Sequence, residues 1–360
     1  MSLLIPVIAA AARSPLARVG GALRWMRPEE IAGRLARQLL EHGLPVGMAV
    51  DEVVCGGVFH ESAPVLSAAG AAARIAGLPG GLPVLGINRM GLSSFEALVW
   101  AHGRIALGES ACVLAGGAES LSRARPAGPH PRITAVEPDI YLPPFLRAAP
   151  GGENPSEEAL TRYGETSLSR ARAQAGVAPS CVLPLEAAER VARPGGFEEK
   201  PWRCAADENL EGGARRVAPG ADGAAWLLLM EGEKAAAAGL KPLGRLCGSH
   251  RRAGPGAAAS AAREVLKQAN LELAEVALFQ VGELTAASAL GIIRALGLEE
   301  DRVNPGGGCL AWGFCPGAAG AVLAAELLFA LRRQRKRWGL AILEAENGEA
   351  GAALFEAFAG

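Results

Sequence analysis

Apolar and polar positions along this chain fall into two alternating patterns. Continuous apolar runs of strand length occur at Leu3–Ala12, 52–58, 83–87 and 111–115, without the in-and-out alternation of a half-exposed strand. Between them, apolar positions recur every three or four residues. Ile31, Leu35 and Leu39 follow Pro28, Glu29 and Glu30, and Gly43 closes that segment. The spacing predicts a helix with proline at its start, acids in its first turn and glycine at its end. A helix of small residues is predicted over 64–77, stopped by Leu78-Pro79-Gly80. Another carries Phe95, Ala97, Leu98, Ala101 and Ile105 after a tight turn at Met90–Gly91. Strands and helices taken in turn predict parallel strands covered by helices, an α/β protein.

The pattern breaks between Arg123 and about Asp222. Prolines 126, 129, 131, 138, 143, 144, 150 and 155 crowd this region, and apolar runs are short. It reads as an excursion from the core. One helix is predicted in it, 156–175, with Ser156 as N-cap ahead of Glu157 and Glu158. The core resumes with strand 226–230, a strand near 243–247, helix 257–269, strand 276–281 and helix 284–296. A glycine-rich turn from Asn304 then opens a helix, 317–332, followed by strand Leu340–Glu344. Turn, helix and strand thus occur twice, at 88–116 and at 304–344. That repeat predicts two stacked halves, each supplying a buried helix.

Composition narrows the function classes. A 360-residue chain with 50% hydrophobic and 20% charged residues can bury a large core. A net charge of -1 gives no reason to expect nucleic acid or an anionic membrane as partner. Seven cysteines (55, 112, 181, 204, 247, 309, 315) contain no Cys-x-x-Cys pair. This argues against a disulfide framework or a zinc site, and for a reducing, cytoplasmic setting. The run Leu3–Ala12 has no basic residue before it and Arg13 after it, so it is expected to be a strand rather than a leader. Pro316–Leu331 is shorter than a membrane span and contains Glu326. The basic run Arg332–Arg337 suits a solvated helix C-terminus.

The stretch Asn88 to Ser122 resembles the thiolase superfamily, whose pattern is Asn-Arg-x-Cys-x-Ser-Gly, a buried helix, then Ala-Gly-Gly-x-Glu-Ser. Asn88, Arg89, Ser93 and Ala115-Gly116-Gly117-x-Glu119-Ser120 are in register. Further pieces follow in the same order: Arg13-Ser14-Pro15, Gly77-Leu78-Pro79, Asp222-Gly223-Ala224-Ala225, Val303-Asn304, Gly317-Ala-Ala-Gly320 and Leu354-Phe355-Glu356. The resemblance implies the five-layer αβαβα thiolase fold. Its N-terminal half would span 1–230, with the excursion at about 123–222 as the loop domain that covers an acyl-CoA. The C-terminal half would span 231–360. It also implies assembly through edges of N-terminal sheets, for which the uncharged strand 111–116 (Val113, Leu114) is the expected edge.

The family's catalytic positions carry other residues. The nucleophilic cysteine corresponds to Gly91, and the Asn of Asn-Glu-Ala-Phe to Gly282, with Glu283 kept. The His of Gly-His-Pro corresponds to Phe314. The second Cys of Cys-x-Gly-Gly-Gly corresponds to Glu344, within Glu344-Ala-Glu346-Asn-Gly-Glu. Thiolysis needs a thiolate, a base and oxyanion donors, and members of such a unit fail together. No thiolase catalysis is therefore expected. Substitute candidates are Ser93 or Ser94 as nucleophile, Cys309 or Cys315 as thiol, and a carboxylate cluster of Glu283, Glu344 and Glu346 as base. Against each stands a plainer role: a helix-start hydrogen bond, core packing, or a structural ion pair. No histidine at 60, 102, 130 or 250 falls in a matching position.

Three functional expectations follow. The leading one is a non-catalytic subunit, a homodimer or a heteromer with an active thiolase or an OB-fold acyl-CoA-binding protein. The others are an acyl-CoA C-acyltransferase using the substitute residues, and an acyl-CoA binding module. No cofactor is required beyond a coenzyme A thioester as ligand.

Overall fold

The computed structural model describes residues 3–59, 65–124, 155–178, 180–194 and 196–359. The proline-rich stretch 126–150, His60 and His130 lie outside the described residues. In chain order the elements are β1 (Pro6–Arg13), β2 (Ala17–Arg18), α1 (Pro28–Gly43), β3 (Glu52–Gly56), α2 (Val65–Ile75), β4 (Val84–Ile87), α3 (Ser93–Ala106) and β5 (Cys112–Glu119). The excursion contributes α4 (Glu157–Gln174), β6 (Leu185–Arg193) and β7 (Gly196–Cys204). Then come β8 (Ala221–Glu231), α5 (Gly232–Ala237), β9 (Gly244–Ala253), α6 (Ala257–Gln268), β10 (Leu278–Val281) and α7 (Ala286–Leu296). Last are α8 (Cys309–Trp312), α9 (Ala319–Arg333), β11 (Trp338–Glu344) and β12 (Glu349–Ala357).

The strands run in the order β10-β11-β12-β9-β1-β8-β5-β3-β4, the two halves meeting where Ile8 of β1 pairs Gly244 of β9. Helices α1 and α2 cover the outer face of the first half, and α6 that of the second; α3 and α9 pack against each other between them. That is the five-layer αβαβα arrangement. The central position of α9 is written in its composition. Twelve of its fifteen residues are buried, so it has no solvent face. Small residues let the two helices touch: a Cβ on Gly320 would lie 2.5 Å from the Phe95 backbone nitrogen. The hydroxyl of Ser94 accepts from the Ala321 amide at 3.1 Å, tying the first turn of α3 to that of α9.

Strands β1, β3, β4 and β5 run in one direction, as their alternation with helices predicts, and β8 lies antiparallel between β1 and β5. It enters after the long excursion, so no short crossover fixes its direction. One expectation fails here: 111–116 is not a sheet edge, since β5 pairs β3 on one side and β8 on the other, and among the described residues β4 ends the sheet. An unbroken apolar run marks burial on both faces, whereas all four residues of β4 are half-buried. The β6–β7 hairpin was not legible in the sequence, since Leu185–Arg193 and Gly196–Cys204 carry charges throughout and lack a simple apolar face.

Candidate active site

The site is built on the turn that opens α3. Asn88 accepts from the Met90 amide at 3.2 Å through Oδ1 and donates to the Val58 carbonyl at 3.1 Å through Nδ2. Met90 takes a left-handed φ of +50°, which swings the chain into the helix. The Ser93 hydroxyl accepts from the Arg89 amide at 2.9 Å and donates to the Met90 carbonyl at 2.6 Å. Ser93 is wholly buried and spends its hydroxyl on this turn.

Gly91 presents its amide at the positive end of α3. That amide donates to Glu346 Oε2 at 2.9 Å. A Cβ built on Gly91 would meet the Phe314 ring at 3.0 Å and Glu346 Oε2 at 3.1 Å. Glu346 reaches this position from the turn between β11 and β12, closed by Ala345 N–H to Glu349 O at 2.8 Å and Gly348 N–H to Ala345 O at 3.0 Å. The same turn is fastened to the α3 turn by a bidentate pair, Arg89 Nε and Nη2 to Glu349, both at 2.9 Å. Hydrogen bonding from Arg89 lowers the Glu349 pKa, while burial raises that of Glu346 against the opposing pull of the Gly91 amide.

The other sequence-singled residues separate into distinct surroundings. Phe314 is buried and held by backbone pairing with Pro219 and Ala221. Gly282 lies against Leu343, whose Cδ1 would be 2.4 Å from an added Cβ. Glu344 is buried beside Ser288 near the start of α7; burial pushes its pKa up to about 7 despite the Ser288 hydroxyl. Its Oε2 has no hydrogen-bond partner among the described residues.

Glu283 stands in a saturated cage. It accepts from Tyr163 at 3.0 Å, Ser167 at 2.8 Å, Asn304 at 2.6 Å and the Leu310 amide at 3.2 Å. Two of these donors come from α4, so Glu283 ties the excursion helix to the second half. Cys309 and Cys315 are buried, and burial pushes Cys309 to about 12 and Cys315 well above its ordinary value. At neutral pH both stay thiols, which are poor nucleophiles. Of the described histidines, His42 and His250 bond Gln38 and Gln268, and His102 sits about three helical turns beyond Gly91.

One buried acid beside the site carried no chemical role in the sequence reading. Glu119, at the end of β5, accepts from the Val58 and Phe59 amides at 2.9 and 3.2 Å. Burial pushes it to about 8, with the nearby charge of Glu346 adding to the rise. The signal for Glu346 was its place in Glu344-Ala-Glu-Asn-Gly-Glu, where the Cys-x-Gly-Gly-Gly pattern has glycine. No group of three or more histidine, cysteine, aspartate or glutamate side chains suited to a metal ion occurs among the described residues.

Comparison with known proteins places this geometry. The model of the thiolase N-terminal domain matches residues 6–140 and that of the thiolase C-terminal domain residues 249–357. The acetyl-CoA acetyltransferase of Pseudomonas aeruginosa is 31% identical, covering 95% of this chain and 97% of its own. The chain belongs to the thiolase family. A beta-ketoadipyl-CoA thiolase of Acinetobacter baylyi is also 31% identical, covering 92% and 94%. Among solved structures, the fold matches the Bacillus anthracis acetyl-CoA acetyltransferase with a TM-score of 0.82 at 24% identity, covering 99% of this chain and 100% of the other. The human mitochondrial 3-ketoacyl-CoA thiolase gives 0.83 at 22% identity, with both chains covered in full.

Proposed function

We propose that this thiolase-family chain has no thiolase chemistry and serves as a non-catalytic subunit in acyl-CoA or ketoacyl metabolism. The observation that carries the reading is the start of α3. Residue 91 has no side chain, and its amide is already bonded to Glu346. A thioester would meet neither a thiolate nor a free donor there. Phe314 can neither take a proton nor give one, and Ser93, Cys309 and Cys315 are engaged or protonated as described.

The partner is a second copy of this chain, an active thiolase, or an OB-fold acyl-CoA-binding protein. Support comes from the side of β4 that pairs with no strand among the described residues. Beside it lies a groove of about 970 Å³ lined by Arg89, Trp100, Arg251 and Glu349. Leu66, Trp100 and Leu107 are 53%, 45% and 59% exposed. An unpaired edge flanked by apolar side chains invites a partner. The two halves are assigned to 1–230 and 231–360, any ligand is a coenzyme A thioester, and the setting is the cytoplasm. No helix among the described residues is long and apolar enough to cross a membrane.

A second reading, an acyl-CoA C-acyltransferase of altered mechanism, draws on Glu344, a buried acid near neutral pKa with an unpartnered oxygen. Incubation with acetyl-CoA and acetoacetyl-CoA separates the two. The subunit reading expects no thiolysis and no acyl adduct by mass spectrometry. An adduct on Ser93, Cys309 or Cys315, or turnover abolished by Glu344→Gln, establishes the enzyme instead. Light scattering at micromolar concentration, with and without a co-encoded thiolase, tests assembly; a monomer in both cases ends the subunit role.

A further inference from the structure

The glycine at 91 is not demanded by its backbone. Its φ lies outside the left-handed region, which here falls on Met90 instead. What limits residue 91 is its neighbours. An added Cβ would have Phe314 Cζ at 3.0 Å and Glu346 Oε2 at 3.1 Å, both at the tight end of contact. Any atom beyond that Cβ would compete with the carboxylate for space. Residue 346, in turn, is held in place twice over. Its oxygen accepts the Gly91 amide at 2.9 Å, and the neighbouring Glu349 grips Arg89 with two bonds of 2.9 Å.

We infer that Glu346 closes the site, its carboxylate taking both the space and the helix-end amide that a side chain on residue 91 would need, so that Gly91 and Glu346 are one coupled exchange. This rests on the reading of the chain as non-catalytic. The exchange moves a polar side chain from the start of α3 to the β11–β12 turn. It leaves the amide that stands just ahead of α3 bonded to a carboxylate and not open to a ligand.

A double-mutant cycle between the two positions tests the coupling directly. Gly91→Cys alone should lower Tm by about 2–6 °C, because the thiol must displace Glu346 or Phe314. In a Glu346→Gly background the same change should cost about half as much or less. Hydrogen exchange supplies a readout that needs no cysteine. Glu346→Gly should speed exchange at the Gly91 amide by about tenfold or more, while Glu346→Gln, which keeps an acceptor oxygen, should leave it protected. Equal costs of Gly91→Cys in both backgrounds, or an unchanged Gly91 amide in Glu346→Gly, overturn the inference. Should Gly91→Cys fail to fold, Gly91→Ala completes the cycle. These measurements read stability and exchange alone. An acyl adduct on the unaltered protein would sink the non-catalytic reading while leaving the coupling standing, and an additive cycle would do the reverse.

Discussion

The two central helices begin alike in sequence and differ in why their glycines are there. At the start of α9, a Cβ on Gly317 would lie 2.4 Å from the Ala118 carbonyl oxygen, and one on Gly320, in the first turn, would lie 2.5 Å from the Phe95 nitrogen. Those neighbours are backbone, which cannot turn aside. Ahead of α3, the neighbours of Gly91 are the tips of two side chains at 3.0 and 3.1 Å. One start is glycine because the scaffold brings layers together; the other is glycine because two side chains fill its space. The first kind is a property of the fold, the second of the site.

Substitution at Gly320 should give the largest effect. Gly320→Ala is expected to destabilise by about 3 kcal/mol or more, since overpacking against backbone must separate the central helices. Denaturant unfolding measures it. A cost no greater than that of Gly91→Ala would erase the distinction between the two starts.

The buried acid Glu344 sharpens the comparison through pH. Its folded pKa of about 7 stands above the ordinary 4.5, so its stabilising contribution is present below about pH 4.5 and lost as pH rises through 7. Unfolding of the parent chain should lose of order 3 kcal/mol from this group between pH 4.5 and 9. Glu119, at about 8, works in the same direction. Glu344→Gln should flatten that part of the profile. A profile identical to the parent's would mean that Glu344 is ionised without cost in the folded chain.

Gly91→Ala should cost about 1 kcal/mol, the neighbours yielding by a few tenths of an ångström. No larger is the outer fastening. Arg89→Met removes ion pairs to Glu349 and to Glu96 from an arginine side chain that is 36% exposed, and solvent screening should hold the loss to about 1 kcal/mol. Salt titration checks it: the difference between parent and variant should shrink as ionic strength rises.

Much of the scaffold was legible from residue order. Pro28 opens α1 as its chemistry requires, and Ser156 caps α4 by accepting from the Ala159 amide at 3.2 Å, whereas Gly43 is the last helical residue and its want of a side chain leaves room for Ala10. The first two are local decisions, made within a turn of the residue that makes them. The direction of β8 and the interior place of β5 were not legible, because hydrophobic runs report burial and not which strand lies alongside. The same limit applies to the acids. Glu283, Glu344 and Glu346 look alike in the sequence, yet one is caged by Tyr163, Ser167 and Asn304, one keeps an oxygen unpartnered among the described residues, and one accepts from the Gly91 amide just ahead of α3.

By itself, then, the sequence determined the succession of strands and helices, the repeat of turn, helix and strand, and the absence of a cysteine at position 91. Those follow from periodicity, turn chemistry and residue identity, which act over a few neighbours. Only the tertiary structure decided what occupies the space that Gly91 leaves. Glu346 is 255 residues away along the chain, and its carboxylate meets the Gly91 amide only because α3 and the β11–β12 turn are brought together when the two halves close on their central helices.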